Sequence, residues 1–124
     1  MADEERVRVA RLVHVLRSYR FRYTTEKELH ASVRRALSEN EVPFEDECDL
    51  EDCGVVDFLV GDGVALELKI QGNPTDVARQ LLGYARSGRV KELVLLTGRS
   101  RLGDLPPRLL GKPLHVVTLW ANAF

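Results

Sequence analysis

The sequence predicts a mixed α/β fold: a central mixed β-sheet flanked by helices. Three observations predict it. Residues 5–39 carry apolar side chains at helical spacing. Residues 55–70 hold two runs of β-formers joined by Gly61-Asp62-Gly63. A further helical stretch is then followed by apolar runs at 92–97 and 114–119. The expected order is α-α-β-β-β-α-β-β, in a single domain spanning 1–124 with a core over about 24–119. A chain of 124 residues suffices for one core and leaves no room for a second.

The first helix is expected over residues 5–20, where Val9, Leu12, Val13 and Leu16 share one side and arginines the other. Thr24 or Thr25 caps a second helix over 26–39, with Glu26 and Glu28 in its first turn and Leu29, Val33, Ala36 and Leu37 as its apolar stripe. Val42-Pro43-Phe44 enters a short strand. The acidic run from Glu45 to Asp52 reads as an exposed loop, and it lacks the glycine and ligand spacing of an EF-hand. Strands follow at 55–60 and 64–70. Gly72-Asn73-Pro74 breaks the chain before a helix over 75–87, with Thr75 as its cap. Residues 102–111, with Pro106-Pro107, read as a loop before the last strand.

Charge is unevenly placed behind a net value of -1. Residues 1–36 hold nine Lys/Arg against five Asp/Glu, residues 37–68 hold eleven Asp/Glu and no base, and residues 69–124 hold nine bases against three acids. Two basic segments thus flank an acidic block. They suit either a groove for a phosphate backbone or ordinary solvated faces. No apolar run is long enough for a membrane span, and residues 1–8 lack the apolar core of a signal peptide, so a cytoplasmic setting is expected. Cys48 and Cys53 cannot supply four thiolates for a zinc or iron–sulfur site. His14, His30 and His115 show no metal-ligand spacing, though His30 lies one turn from Glu26. Trp120 is expected to pack internally or against a second copy.

The hairpin at 55–70 concentrates the chemistry. A three-residue loop, Gly61-Asp62-Gly63 with Gly63 left-handed, pairs Val60 with Val64, Phe58 with Leu66 and Asp57 with Glu67. Val56, Phe58, Val60, Val64, Leu66, Leu68 and Ile70 then form one apolar face, with Asp57, Glu67 and Lys69 on the other. The rival two-residue turn at Asp62-Gly63 would put the two acids on opposite faces and break the apolar parity. Paired residues have Cβ atoms about 5 Å apart. The favoured register therefore sets two carboxylates side by side with an ammonium two residues along. Such carboxylates raise each other's pKa unless a cation intervenes, and two oxygen ligands with sites open for water suit Mg²⁺ or Mn²⁺. The alternative is a partly exposed acid–lysine cluster on an ordinary sheet.

Asp57, nine residues, then Glu67-Leu68-Lys69, each on a β-run, resembles the PD-(D/E)XK nuclease superfamily. The resemblance covers about residues 24–97. It implies a restriction-endonuclease-like α-β-β-β-α-β core with an extra N-terminal helix. Glu26-x-x-Leu29-His30 looks like the first helix of compact phage-type nucleases and junction resolvases, with Glu28 as the alternative acid. Gln80-Leu81-Leu82-Gly83-Tyr84 resembles the Q-x-x-x-Y element of RecB-like members. The pattern departs from its name at Val56, which stands where proline is usual.

This resemblance implies a Mg²⁺-dependent deoxyribonuclease of phage or bacterial type, with Mn²⁺ as a substitute. Asp57, Glu67 and the backbone carbonyl of Leu68 would ligate the metal, and Glu26 would do so directly, through water or at a second ion. Lys69 would position the attacking water. Gln80, Tyr84 and Arg79 are the implied substrate contacts, or Gln80 and Tyr84 orient the site; Arg34, Arg35, Arg86 and Arg89 are further phosphate candidates. DNA is the implied partner, no membrane is involved, and a homo-oligomer would supply missing substrate surface, through the N-terminal helix or the segment 119–124. A non-catalytic member binding nucleic acid or protein is the rival function; a regulator using the acidic block as a decoy ranks below it.

Overall fold

Amphipathic helices need a partner for their apolar stripe, and here a sheet supplies it. The computed structural model describes residues 2–98, 102 and 104–119, those before Val9 by backbone alone. Its helices are α1 (Ala2–Ser18), α2 (Glu26–Glu39) and α3 (Pro74–Ala85). Its strands are β1 (Phe44–Asp49), β2 (Val55–Val60), β3 (Val64–Lys69), β4 (Glu92–Thr97), β5 (Arg108–Leu109) and β6 (Lys112–Thr118). They form a sheet in the order β1-β2-β3-β4-β6-β5. The pairs β1–β2, β2–β3 and β5–β6 are antiparallel; β3–β4 and β4–β6 are parallel. The fold is mixed α/β, and residues 26–97 run α-β-β-β-α-β. Among the described residues, no helix is long and apolar enough to cross a membrane. The segment from Trp120 onward lies outside the described residues.

Helices α1 and α2 cover one face of the sheet. Leu12, Leu16, Leu29, Val33 and Leu37 pack there on Phe58, Leu66, Leu68, Val94 and Leu96. Helix α3 covers the other, where Val77, Leu81 and Tyr84 meet Leu59, Ala65, Leu93 and Leu95. Strands β3 and β4 are buried on both faces, as expected of parallel strands under helices. Thr25 is the cap of α2, and its side chain and that of Glu28 form a reciprocal capping box.

Three element assignments are corrected. The acidic run is not a loop: Phe44–Asp49 is a strand paired with β2. It lies at the sheet edge, so it pairs on one side only and its carboxylates stay in water. The cap of α3 is Asn73, not Thr75; its side chain accepts from the Asp76 N–H, and Pro74 sits at the first helical position, where no donor is missed. Residues 108–109 form a short strand inside the stretch read as a loop, held antiparallel to β6 by the turn at 110–111.

The hairpin has the favoured register: Val60 lies opposite Val64 and Phe58 opposite Leu66. Both loop glycines have positive φ, 56° at Gly61 and 146° at Gly63, so the left-handed helical value belongs to Gly61. A Cβ on Gly63 would stand 2.8 Å from the Arg89 carbonyl oxygen, and the Gly63 carbonyl accepts from the Lys91 N–H at 2.7 Å. We expect Gly63→Ala to cost about 1–3 kcal/mol in urea unfolding, because strain and a backbone clash coincide. A loss within about 0.5 kcal/mol, the range of neutral surface changes, would show that the turn relaxes.

One face departs from the expected parity. Val56 packs with the α3-side cluster, whereas Phe58 packs under α2. Its partner Cys48 goes with it, while Asp46 lies opposite Phe58. The two strands change faces at Glu47 and Asp57, and Glu47 has a φ of 47°. Alternation along a strand would otherwise hold.

Candidate functional site

The β2–β3 pairing runs from the turn to Phe58 and Leu66, and side chains take over from there. The Asp57 N–H donates to Glu67 Oε1 at 3.2 Å, and the Leu68 N–H donates to Asp57 Oδ2 at 2.8 Å. Each carboxylate thus holds the main chain of the other's strand, which fixes the two acids together. Lys69 Nζ lies 3.8 Å from Glu67 Oε2. The structure therefore brings Asp57, Glu67 and Lys69 together at the carboxyl end of β3, beside the parallel strand β4. Ligands in open α/β sheets favour this end.

Glu67 is only 4% exposed. Burial first, and the Asp57 carboxylate second, push its carboxyl up to about 8, against partial relief from the Asp57 N–H and Lys69. With its pKa above the usual 4.5, Glu67 binds its proton more strongly in the folded state. Stability without a cation should therefore fall as pH rises from about 5 towards 8. Glu67→Gln keeps the acceptor oxygen and removes the charge. We expect it to be more stable than the parent at pH 8 in chelator, by on the order of a few kcal/mol, and equal to it near pH 5. Parallel stability–pH curves for the two proteins would rule this out.

The donor chemistry fits a hard divalent cation. Two carboxylates from adjacent strands meet the one or two that Mg²⁺ takes from protein, the rest being water and phosphate. The Leu68 N–H is bound to Asp57, which ties the main chain next to Glu67 to the other acid. Glu26 reaches the same end of the sheet from α2, but its Oε1 accepts from the Ile70 N–H at 3.0 Å. Among the described residues it does not join Asp57 and Glu67 in one ligand cluster. Glu28 turns away into its capping box, where the Thr24 hydroxyl and N–H hold its carboxyl below the ordinary value.

Tyr84 is 1% exposed. Its hydroxyl donates to the Val55 carbonyl at 3.0 Å and accepts from Gln80 Nε2 at 2.8 Å. Burial, with Glu67 and Asp57 adding to it, pushes the phenol far up. Tyr84 thus faces the interior and braces the start of β2, and Gln80 donates to its hydroxyl. Gly54 fits this contact: its φ is 105°, and a Cβ there would lie 3.2 Å from the Tyr84 ring. Arg79 is exposed and 3.7 Å from Asp76. Arg89 pairs with Glu45, and Arg86 and Arg35 are exposed.

Sequence spacing missed one group. His30 stacks on Phe58 with ring centroids 4.3 Å apart. Its Nε2 lies 2.6 Å from Asp46 Oδ1, and its Nδ1 lies 3.7 Å from Asp57 Oδ1. Arg34 Nε donates to Asp46 Oδ2 at 2.7 Å. Burial raises the Asp46 carboxyl, but His30 and Arg34 outweigh it and hold it below its usual range. The sequence marked His30 for lying one turn from Glu26, and the i, i+4 step from His30 to Arg34 puts those two on one helix face. Asp46 was hidden in the supposed loop. Comparisons with family models, curated proteins and solved structures find no match to this chain.

Proposed function

We propose that this protein is a metal-dependent nuclease that hydrolyses phosphodiester bonds in DNA. The observation that supports it best is the linked Asp57–Glu67 pair, with Glu67 buried and Lys69 beside it. Two acids on a rigid hairpin, one of them almost wholly buried, are costly without a cation, and such perturbed groups cluster where chemistry is done. Asp57 and Glu67 hold Mg²⁺, or Mn²⁺ in its place. The bound ion lowers the pKa of water and offsets charge on the scissile phosphate. Lys69 orients the attacking water and stabilises negative charge as it develops on the phosphoryl oxygens. Glu26 steadies the end of β3 at Ile70, and Tyr84 with Gln80 steadies the start of β2. The exposed arginines, Arg79 first, guide the DNA backbone. On this reading the protein works in the cytoplasm of a phage-infected or bacterial cell, and assembly of several copies extends the DNA surface.

The test is incubation with linear, closed-circular, single-stranded and four-way-junction DNA in Mg²⁺ or Mn²⁺. Cleavage of at least one form, stopped by chelator, is expected. Sparing of closed circles marks an exonuclease, and cleavage confined to junctions marks a resolvase. Tight DNA binding with no cleavage of any form would instead favour a non-catalytic binding module.

A further inference from the structure

We propose that His30, Asp46 and Glu47 form a second metal site, built for a divalent transition ion such as Zn²⁺ rather than for Mg²⁺. One ligand atom from each of the three lies within 4.8 Å of the others. An imidazole with two carboxylates suits Zn²⁺ or Mn²⁺, whereas Mg²⁺ prefers oxygen and water. The site shares no ligand with the Asp57–Glu67 pair, which it adjoins through His30, and it does not depend on the cleavage reading.

The surroundings of these ligands are already arranged. A metal-bound histidine commonly turns its other nitrogen to a carboxylate, and bound carboxylates are themselves hydrogen-bonded. His30 offers Nε2 to the site while Nδ1 faces Asp57 Oδ1 at 3.7 Å. Asp46 offers Oδ1 while Arg34 Nε holds Oδ2 at 2.7 Å. Stacking on Phe58 fixes the ring plane. The His30 Nε2 to Asp46 Oδ1 distance of 2.6 Å is a hydrogen bond. An ion bound there takes the place of the shared proton and moves the two atoms apart to about 3.3 Å, the spacing of ligands on a tetrahedral centre.

Glu47 supplies the third ligand through its backbone. Neighbours on a strand point to opposite faces, so Asp46 and Glu47 would normally diverge. The φ of 47° at Glu47, unusual for a residue with a Cβ, brings both carboxylates to His30. Glu47 is exposed, so its carboxylate can close on the ion by changing rotamer.

Zn²⁺ titration by calorimetry, with the full chain free of other metals, tests the proposal. One Zn²⁺ should bind, with excess Mg²⁺ failing to displace it. Glu47→Gln should weaken binding by about 10-fold or more, and His30→Gln should do the same. Glu67→Gln should remove Mg²⁺ binding and leave Zn²⁺ binding unchanged, which separates this site from the proposed nuclease centre. In crystals soaked with Zn²⁺, anomalous scattering should mark an ion bonded to His30 Nε2. Because His30→Gln removes a packed ring and risks unfolding, Glu47→Gln and the anomalous map carry the decision. No Zn²⁺ binding, an unchanged affinity in Glu47→Gln, or an ion found only at Asp57–Glu67 or at His115 would overturn the proposal.

Discussion

Lys69→Ala is expected to reduce Mg²⁺-dependent DNA cleavage by about 10²–10³-fold, the size of loss seen when one preorganised electrostatic group is removed. Among the described residues Lys69 makes one ion pair, 3.8 Å from Glu67, and its side chain is 22% exposed. Fold stability should therefore change little, and circular dichroism should match the parent. Mg²⁺ binding should persist, because Asp57 and Glu67 remain. Asp57→Ala should lose cleavage as well, but by losing the ion, so calorimetry separates the two variants. Normal cleavage by Lys69→Ala from a preparation free of host nucleases would sink the assignment. Loss of cleavage only upon unfolding would reduce Lys69 to a structural role.

Phe58→Ala is expected to be the most damaging core change near the site. Phe58 is wholly buried, stacks on His30 and meets Phe44 edge-on at 5.5 Å. Removing a buried phenyl ring costs about 3–5 kcal/mol, much of a small domain's total of roughly 5–15 kcal/mol. Urea unfolding measures it, and Phe58→Leu, which keeps more volume, should cost less. A loss under about 2 kcal/mol would mean that α2 settles into the gap. The His30 ring would lose its support in either case.

Periodicity and turn chemistry made most of the fold legible. Leu29, Val33 and Leu37 announced α2, and the parity of the 55–70 hairpin selected the register that joins Asp57 to Glu67. Strand β1 was illegible because its signal is inverted. At an edge the main chain needs one partner only, so Glu45, Asp46, Glu47 and Asp49 stand in water where apolar residues would mark an inner strand. That error hid Asp46 from His30, sixteen positions away. The cap of α3 was misread for a local reason: Pro74 can begin a helix, so the cap moves back to Asn73. Tyr84 shared a helix face with Gln80 as expected, but a face does not say which way it looks, and burial turned the hydroxyl inward.

The sheet ends at β1 on one side and at the two-residue β5 on the other. Strand β1 carries the charged residues Glu45, Asp46, Glu47 and Asp49, with Glu45 and Asp46 paired to Arg89 and Arg34, and β5 is too short to template another chain. Continuous β-pairing between copies is thereby disfavoured at neutral pH. A dimer or ring would have to be built through helix faces, leaving both sheet margins clear.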